Sequence, residues 1–163
     1  GFDLADGLVM DPLVDLMRSH GLVLLTHSSE PVGHDYSGKG TVTPQILLRF
    51  IEQFPDLPVV CAHWGGGLPF YSLMPEVRSA MGNTYFDTAA SPLLYQAEVF
   101  SAVPQLVDPS RILLGSDFPL VKPQRLVREV QAASLTAEEK RAILGANAQR
   151  LLGLAGITDE RPG

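Results

Sequence analysis

Cysteine is almost absent: the 163 residues hold one, Cys61. No disulfide can form within the chain, so a reduced, cytoplasmic setting is expected. No apolar run approaches the ~20 residues of a membrane-spanning helix, and no membrane partner is expected. Basic clusters are missing too. Lys and Arg number 12 against 18 Asp and Glu, a net charge of −6. That balance argues against nucleic acid as a partner and speaks mainly to solubility. The opening Gly1-Phe2-Asp3-Leu4-Ala5-Asp6 has neither the basic nor the apolar region of a signal peptide. It also lacks an initiator methionine, which predicts a processed chain or a piece of a longer one. There is no Gly-x-Ser-x-Gly elbow, no Gly-x-Gly-x-x-Gly fingerprint and no Walker motif. Those absences remove the signatures of serine hydrolases, dinucleotide binders and P-loop proteins.

What is present reads as one globular domain. Hydrophobic residues make up 45% and charged residues 18%, enough to build a core. The expected domain covers residues 1–157, with 158–163 a frayed tail. The organising stretch is Val59-Val60-Cys61-Ala62-His63-Trp64-Gly65-Gly66-Gly67. It reads as a buried strand, a polar residue at its exit, and a glycine turn that lets another backbone or a ligand come close. Cys61, inside that strand, reads as a small buried apolar residue. Leu22-Val23-Leu24-Leu25-Thr26 repeats the design and ends in His27, while Arg111-Ile112-Leu113-Leu114-Gly115-Ser116 ends in Asp117. Thr84-Tyr85-Phe86-Asp87-Thr88 fits a strand between the last two. The chain then parses as about four βα units, an α/β fold with a parallel sheet.

Helices fill the intervals. Asp11-Pro12 is the expected start of the first, with His20 in its last turn complementing the dipole. A long polar loop, Ser28 to Gly40, exceeds the usual βα connection and invites a functional role. Thr43-Pro44 opens a helix with an apolar stripe of Ile46, Leu47, Phe50, Ile51 and Phe54. A helix is expected over 70–81, unless Pro75 breaks it in two. Another is expected over 92–103, with Pro104 as its stop. Thr136 and Glu139 match a capping box that opens the last helix.

Two imidazoles and a carboxylate at equivalent strand ends suit a divalent ion such as Zn²⁺, whose bound water becomes a nucleophile near neutral pH. Asp117 could accept a proton while touching the metal, and His63 could bind it or act as acid and base. The plain alternative stands beside this. One histidine at a strand end is more often structural, and an aspartate before a helix is usually a cap or turn residue. The glycines could serve close packing. They could also cradle a phosphate, although no lysine follows in the right place.

At these residues the chain resembles the C-terminal half of the amidohydrolase superfamily, in the branch called amidohydrolase family 2. The matching pieces are Leu24-Leu25-Thr26-His27, Cys61-Ala62-His63-Trp64-Gly65-Gly66-Gly67 and Leu114-Gly115-Ser116-Asp117-Phe118-Pro119. The segment Gly145 to Leu154 also fits that family's end. The resemblance implies a (β/α)8 TIM barrel with one divalent metal, usually zinc, at its C-terminal face. It implies that His27 is a ligand, His63 a ligand or the acid–base residue, and Asp117 a ligand and proton acceptor. Glu30, His34, Tyr36, Lys39 and Trp64 are the candidate pocket walls for a small-molecule substrate, with packing an equal reading of Trp64 and a solvated loop charge the plainer reading of Lys39. The implied activity is metal-dependent hydrolysis of a C–N or ester bond. The alternatives are non-oxidative decarboxylation on the same barrel, or a catalytically incompetent fragment. The family's His-x-His pair on its first strand is absent, and a full barrel needs about 250 residues. Two unpaired sheet edges are therefore expected, predicting a homo-oligomer or pairing with the missing N-terminal half.

Overall fold

The computed structural model describes residues 4–154, so the expected tail at 158–163 lies outside the described residues. Four parallel strands form one sheet in the order β1-β2-β3-β4: β1 Leu24–Thr26, β2 Val59–Cys61, β3 Thr84–Asp87 and β4 Ile112–Leu113. Register pairs Leu25 with Val60, Val60 with Tyr85, and Asp87 with Leu113. Each strand lies beside the next in sequence, as right-handed crossovers with intervening helices dictate. All C-terminal strand ends therefore meet on one side.

The pleat sends alternate residues to opposite faces. Val59, Cys61, Phe86 and Ile112 join the main core with Leu47, Phe50, Val103, Leu126 and Val130 from the helices. The other row, Leu25, Val60, Tyr85 and Leu113, faces away from that core. Leu25 is 64% exposed, so β1 is not the fully buried strand its composition suggests. It lies on an open edge, with no strands opposite to cover its outer row.

The first helix, Gly7–Ser19, begins earlier than Asp11-Pro12 suggests. Asp6 is its cap, the carboxylate accepting from Leu8 N–H at 3.0 Å, and Pro12 lies inside. Burial of Met10 and Val14 on one face carries the helix through the proline. The Pro44–Gln53 helix runs as its stripe predicts, burying Leu47, Phe50 and Ile51. Pro75 does split the next segment. A 3-10 run over Leu68–Leu73 precedes a short helix at Pro75–Ala80, because proline removes the bond that would join them.

The helix expected over 92–103 is also divided, into Ser91–Leu94 and Val99–Leu106. Pro104 sits inside the second piece and does not stop it, being buried in the core-facing side. Pro123–Ala132 follows, and the Thr136–Glu139 capping box forms with both reciprocal bonds. A π-type turn at Ala142–Ala146 leads to Asn147–Leu151. Buried Asn147 donates to the carbonyls of Ile112 and Pro109, docking this end onto β4. Among the described residues no helix is long and apolar enough to cross a membrane.

Phe50 is fully buried and lies 5.0 Å from the Phe54 ring, centroid to centroid. Phe50→Ala is expected to destabilise the fold by about 3–5 kcal/mol, read from urea unfolding. A loss well under 1 kcal/mol would mean the helix layer does not hold the sheet.

Candidate active site

At the end of β2 the backbone enters a left-handed turn. His63, Trp64, Gly65 and Gly66 all have positive φ, at 56°, 55°, 60° and 59°. Side chains resist this region, at a cost of roughly 1–2 kcal/mol per residue. Gly67 continues the run at 95°, so three of its five positions are glycine, which accepts it freely. Gly66 is also required by space: a Cβ there would lie 2.5 Å from the Ser29 carbonyl oxygen. The turn thus packs against the start of the 28–40 loop. Ser28 Oγ donates to the Ala62 carbonyl and ties the two strand ends together.

The turn sends neighbouring side chains in opposite directions. His63 borders an open cavity of about 540 Å³, shared with His27, His34, Tyr36 and Asp117 and walled by Ala90, Leu93, Leu94 and Leu120. Trp64 points into the core, 1% exposed, its indole N–H donating to Ser91 Oγ at 2.7 Å and its ring edge-on to Phe100. Trp64 is therefore packing and not the pocket wall its position beside His63 implies.

His27 and His63 meet edge-to-face with ring centroids 4.9 Å apart. His27 Nε2 is 2.8 Å from Ser29 Oγ, which also accepts from Gly40 N–H. Gly40 lies against the ring, where a Cβ would come 2.8 Å from Cδ2. Burial and the neighbouring His63 hold the His27 imidazole below its ordinary pKa, against opposing pulls from Asp117 and Glu30. His63 Nδ1 contacts the Ala89 carbonyl at 3.2 Å, and its backbone N–H donates to Asp87 Oδ1 at 2.9 Å. Asp117, exposed after β4 with φ 62°, borders the same cavity.

Among the described residues no group of three or more His, Cys, Asp or Glu could hold a metal ion. The structure thus does not assemble His27, His63 and Asp117 into the expected ligand set. His27 follows β1 and Asp117 follows β4, the two outer strands. Two imidazoles converge ring to ring, and Asp117 borders the same cavity.

Of the loop residues, His34 and Tyr36 reach the cavity. Glu30 sits behind it, accepting from Tyr36 Oη at 3.2 Å and Tyr95 Oη at 2.8 Å. Burial and this carboxylate push the Tyr95 hydroxyl up, so it stays a donor. Burial likewise raises Tyr36. Lys39 is taken up within its loop, donating to the His34 carbonyl and pairing with Asp35 at 3.7 Å. Glu30 and Lys39 shape the loop and do not line the cavity. Burial pushes the Cys61 thiol up, in keeping with an inert core residue.

Asp87 was not among the residues singled out from sequence. It is a buried carboxylate at the end of β3, raised by burial despite the backbone N–H groups of Ala89 and His63 that it accepts. Its signal was available: it holds the same strand-end position as His27, His63 and Asp117.

The half-open parallel sheet with a cavity at its C-terminal strand ends defines part of a TIM barrel. The sequence matches the family described as Amidohydrolase over residues 1–154, and the chain belongs to it. No curated protein matches. Solved structures do. The 5-carboxyvanillate decarboxylase of Sphingomonas paucimobilis aligns with TM-score 0.71 and 18% identity, covering 88% of this chain and 53% of that one. A dihydroxybenzoic acid decarboxylase from Polaromonas sp. JS666, with bound manganese and the inhibitor 2-nitroresorcinol, gives 0.70, 17%, 88% and 53%. A TIM-barrel protein from Bordetella bronchiseptica gives 0.70, 21%, 93% and 52%. The chain spans about half the length of these barrels.

The low His27 value fixes the sign of a pH effect. A group whose folded pKa lies below its unfolded one takes its proton first in the unfolded chain. Its penalty is nil at alkaline pH and grows as pH falls through the unfolded value, ~6.5. It is complete once the folded imidazole protonates. Urea midpoints of chelator-treated protein should therefore fall below about pH 6.5, and His27→Asn should flatten part of that fall. An unchanged profile in the variant would remove His27 as its source.

Proposed function

We propose that this chain supplies the C-terminal half of the active site of an amidohydrolase-family enzyme that decarboxylates a small aromatic acid without oxidation. The supporting observation is the cavity itself. Its walls are Ala90, Leu93, Leu94 and Leu120, with His63 and His27 as the imidazoles and His34 and Tyr36 at the loop side. An apolar wall facing imidazoles, a phenol, Ser37 and Asp117 suits a flat ring with polar substituents better than a peptide. The named activities of two similar barrels, decarboxylases of substituted benzoates, point the same way.

In this reaction the C–C bond to the carboxylate breaks, CO2 leaves, and a proton takes its place on carbon. His63 is assigned to carry that proton; in support, its Nε2 makes no hydrogen bond among the described residues and the ring borders the cavity. The enzyme is read as metal-dependent, with donors beyond this chain needed to complete the site. Zinc and manganese are both compatible with imidazole ligands, and no step is assigned to either. The second reading is hydrolysis of a C–N or ester bond, favoured by the family description.

The two readings separate in one assay. The chain, combined with four complementary βα units and a divalent metal, is incubated with hydroxybenzoates in D2O. Decarboxylation releases CO2 and places deuterium on the vacated carbon, and His63→Asn should lower the rate at least ~100-fold. Hydrolysis of amide or ester analogues with no CO2 release would replace the first reading with the second.

A partner follows from the same half-barrel. Among the described residues β1 and β4 each pair on one side only, and unpaired edges recruit strands. Four more parallel strands, from another copy or from a separate N-terminal half, would close it. Light scattering of the isolated chain at micromolar concentration should show mass above the 17.6 kDa monomer. A single monomeric species would count against self-association.

A further inference from the structure

We propose that Asp87 is the positioning residue for His63, fixing both where its imidazole sits and which ring nitrogen carries the hydrogen. The inference holds for either reaction in the cavity, because it concerns the ring before any substrate arrives.

One carboxylate oxygen does two tasks. Asp87 Oδ1 accepts from His63 N–H at 2.9 Å and from Ala89 N–H at 3.0 Å. The first bond anchors the left-handed turn at its opening residue, whose φ of 56° a side chain resists. The second anchors Ala89, whose carbonyl faces His63 Nδ1 at 3.2 Å. Backbone and ring of His63 are thus both referred to the same carboxylate.

The contact at Ala89 decides the tautomer. A carbonyl oxygen can only accept, so Nδ1 must carry the hydrogen. In the neutral ring Nε2 is then left with its lone pair, with no hydrogen bond among the described residues. This is the reverse of the preference of a free neutral imidazole in water, which keeps its hydrogen on Nε2. The assignment gives His63 an acceptor nitrogen at the cavity, ready to take a proton or bind a cation.

The clamp is held from behind by Gly115. A Cβ there would lie 3.0 Å from Asp87 Cγ and 3.2 Å from Oδ2. Thr88 adds a brace: its hydroxyl donates to the Gly115 carbonyl and accepts from Gly115 N–H. Small size at Gly115 is therefore what leaves Asp87 its place.

The test is nitrogen NMR of histidine-labelled, metal-free protein, well above the ordinary imidazole value of ~6.5, with His63 assigned by loss of its signals in His63→Gln. The wild type should show Nδ1 protonated and Nε2 bare. Asp87→Asn, whose amide oxygen can accept both N–H groups, should keep that pattern. Asp87→Ala and Gly115→Ala should shift it toward a mixture of tautomers. Protonated Nε2 in the wild type overturns the proposal, as does a folded Asp87→Ala or Gly115→Ala protein with wild-type signals. Loss of the pattern in Asp87→Asn also overturns it. If Asp87→Ala does not fold, the wild type, Asp87→Asn and Gly115→Ala decide. No activity enters these readouts, so failure here is distinct from failure of the decarboxylase reading.

Discussion

Five consecutive left-handed residues, His63 to Gly67, lie beyond β2, and the cavity depends on them. His63 and Trp64 hold a conformation that costs each roughly 1–2 kcal/mol, so the surroundings must over-determine it. Asp87 takes the His63 N–H, Ser91 takes the Trp64 indole N–H, and the bare Cα of Gly66 lies on the Ser29 backbone. Strain of this kind persists where a side chain has to be aimed. Here it aims an imidazole at the cavity and an indole at the core from adjacent positions. An ordinary right-handed exit would place the two differently, and β1, β2 and β3 would lose their shared contact point.

The sheet imposes the second constraint. Parallel strands in sequential order put every functional strand end on one side, which is why His27, His63, Asp87 and Asp117 border one region. Helices cover one face, and the residues of that row are buried. The other face has four strands' worth of wall and no opposite wall. Leu25 is exposed for that reason, as are Phe118 and Leu120 beside Asp117. At these strand ends two imidazoles meet edge to face, and Asp117 borders the same cavity.

Much of this was legible in the residues. Short β-branched and leucine runs ending in His27, His63 and Asp117 marked parallel strands, because buried strands need continuous apolar runs. Thr136 and Glu139 announced a helix start through purely local chemistry, and their reciprocal bonds form. Other features were not legible. Asp6 and Asp11 are both competent caps, and burial of Met10 chose between them. Pro104 looks like a stop until its side chain is seen packed in the core. Trp64 and His63 look alike from their flanks, since nothing local says which way a left-handed turn will face.

Local chemistry and periodicity in the chain alone determined the βα rhythm, the strand ends that carry polar side chains, and the glycines that turn there. These depend on neighbours a few residues apart, and such interactions are written consecutively. Tertiary structure alone decided which donors converge, which tyrosines share Glu30, and that a carboxylate on β3 governs the imidazole after β2. Asp87 lies 24 residues from His63, and Tyr95 lies 65 from Glu30. Only the folding of the sheet brings such pairs within hydrogen-bond range, where a few tenths of an ångström decide whether they interact.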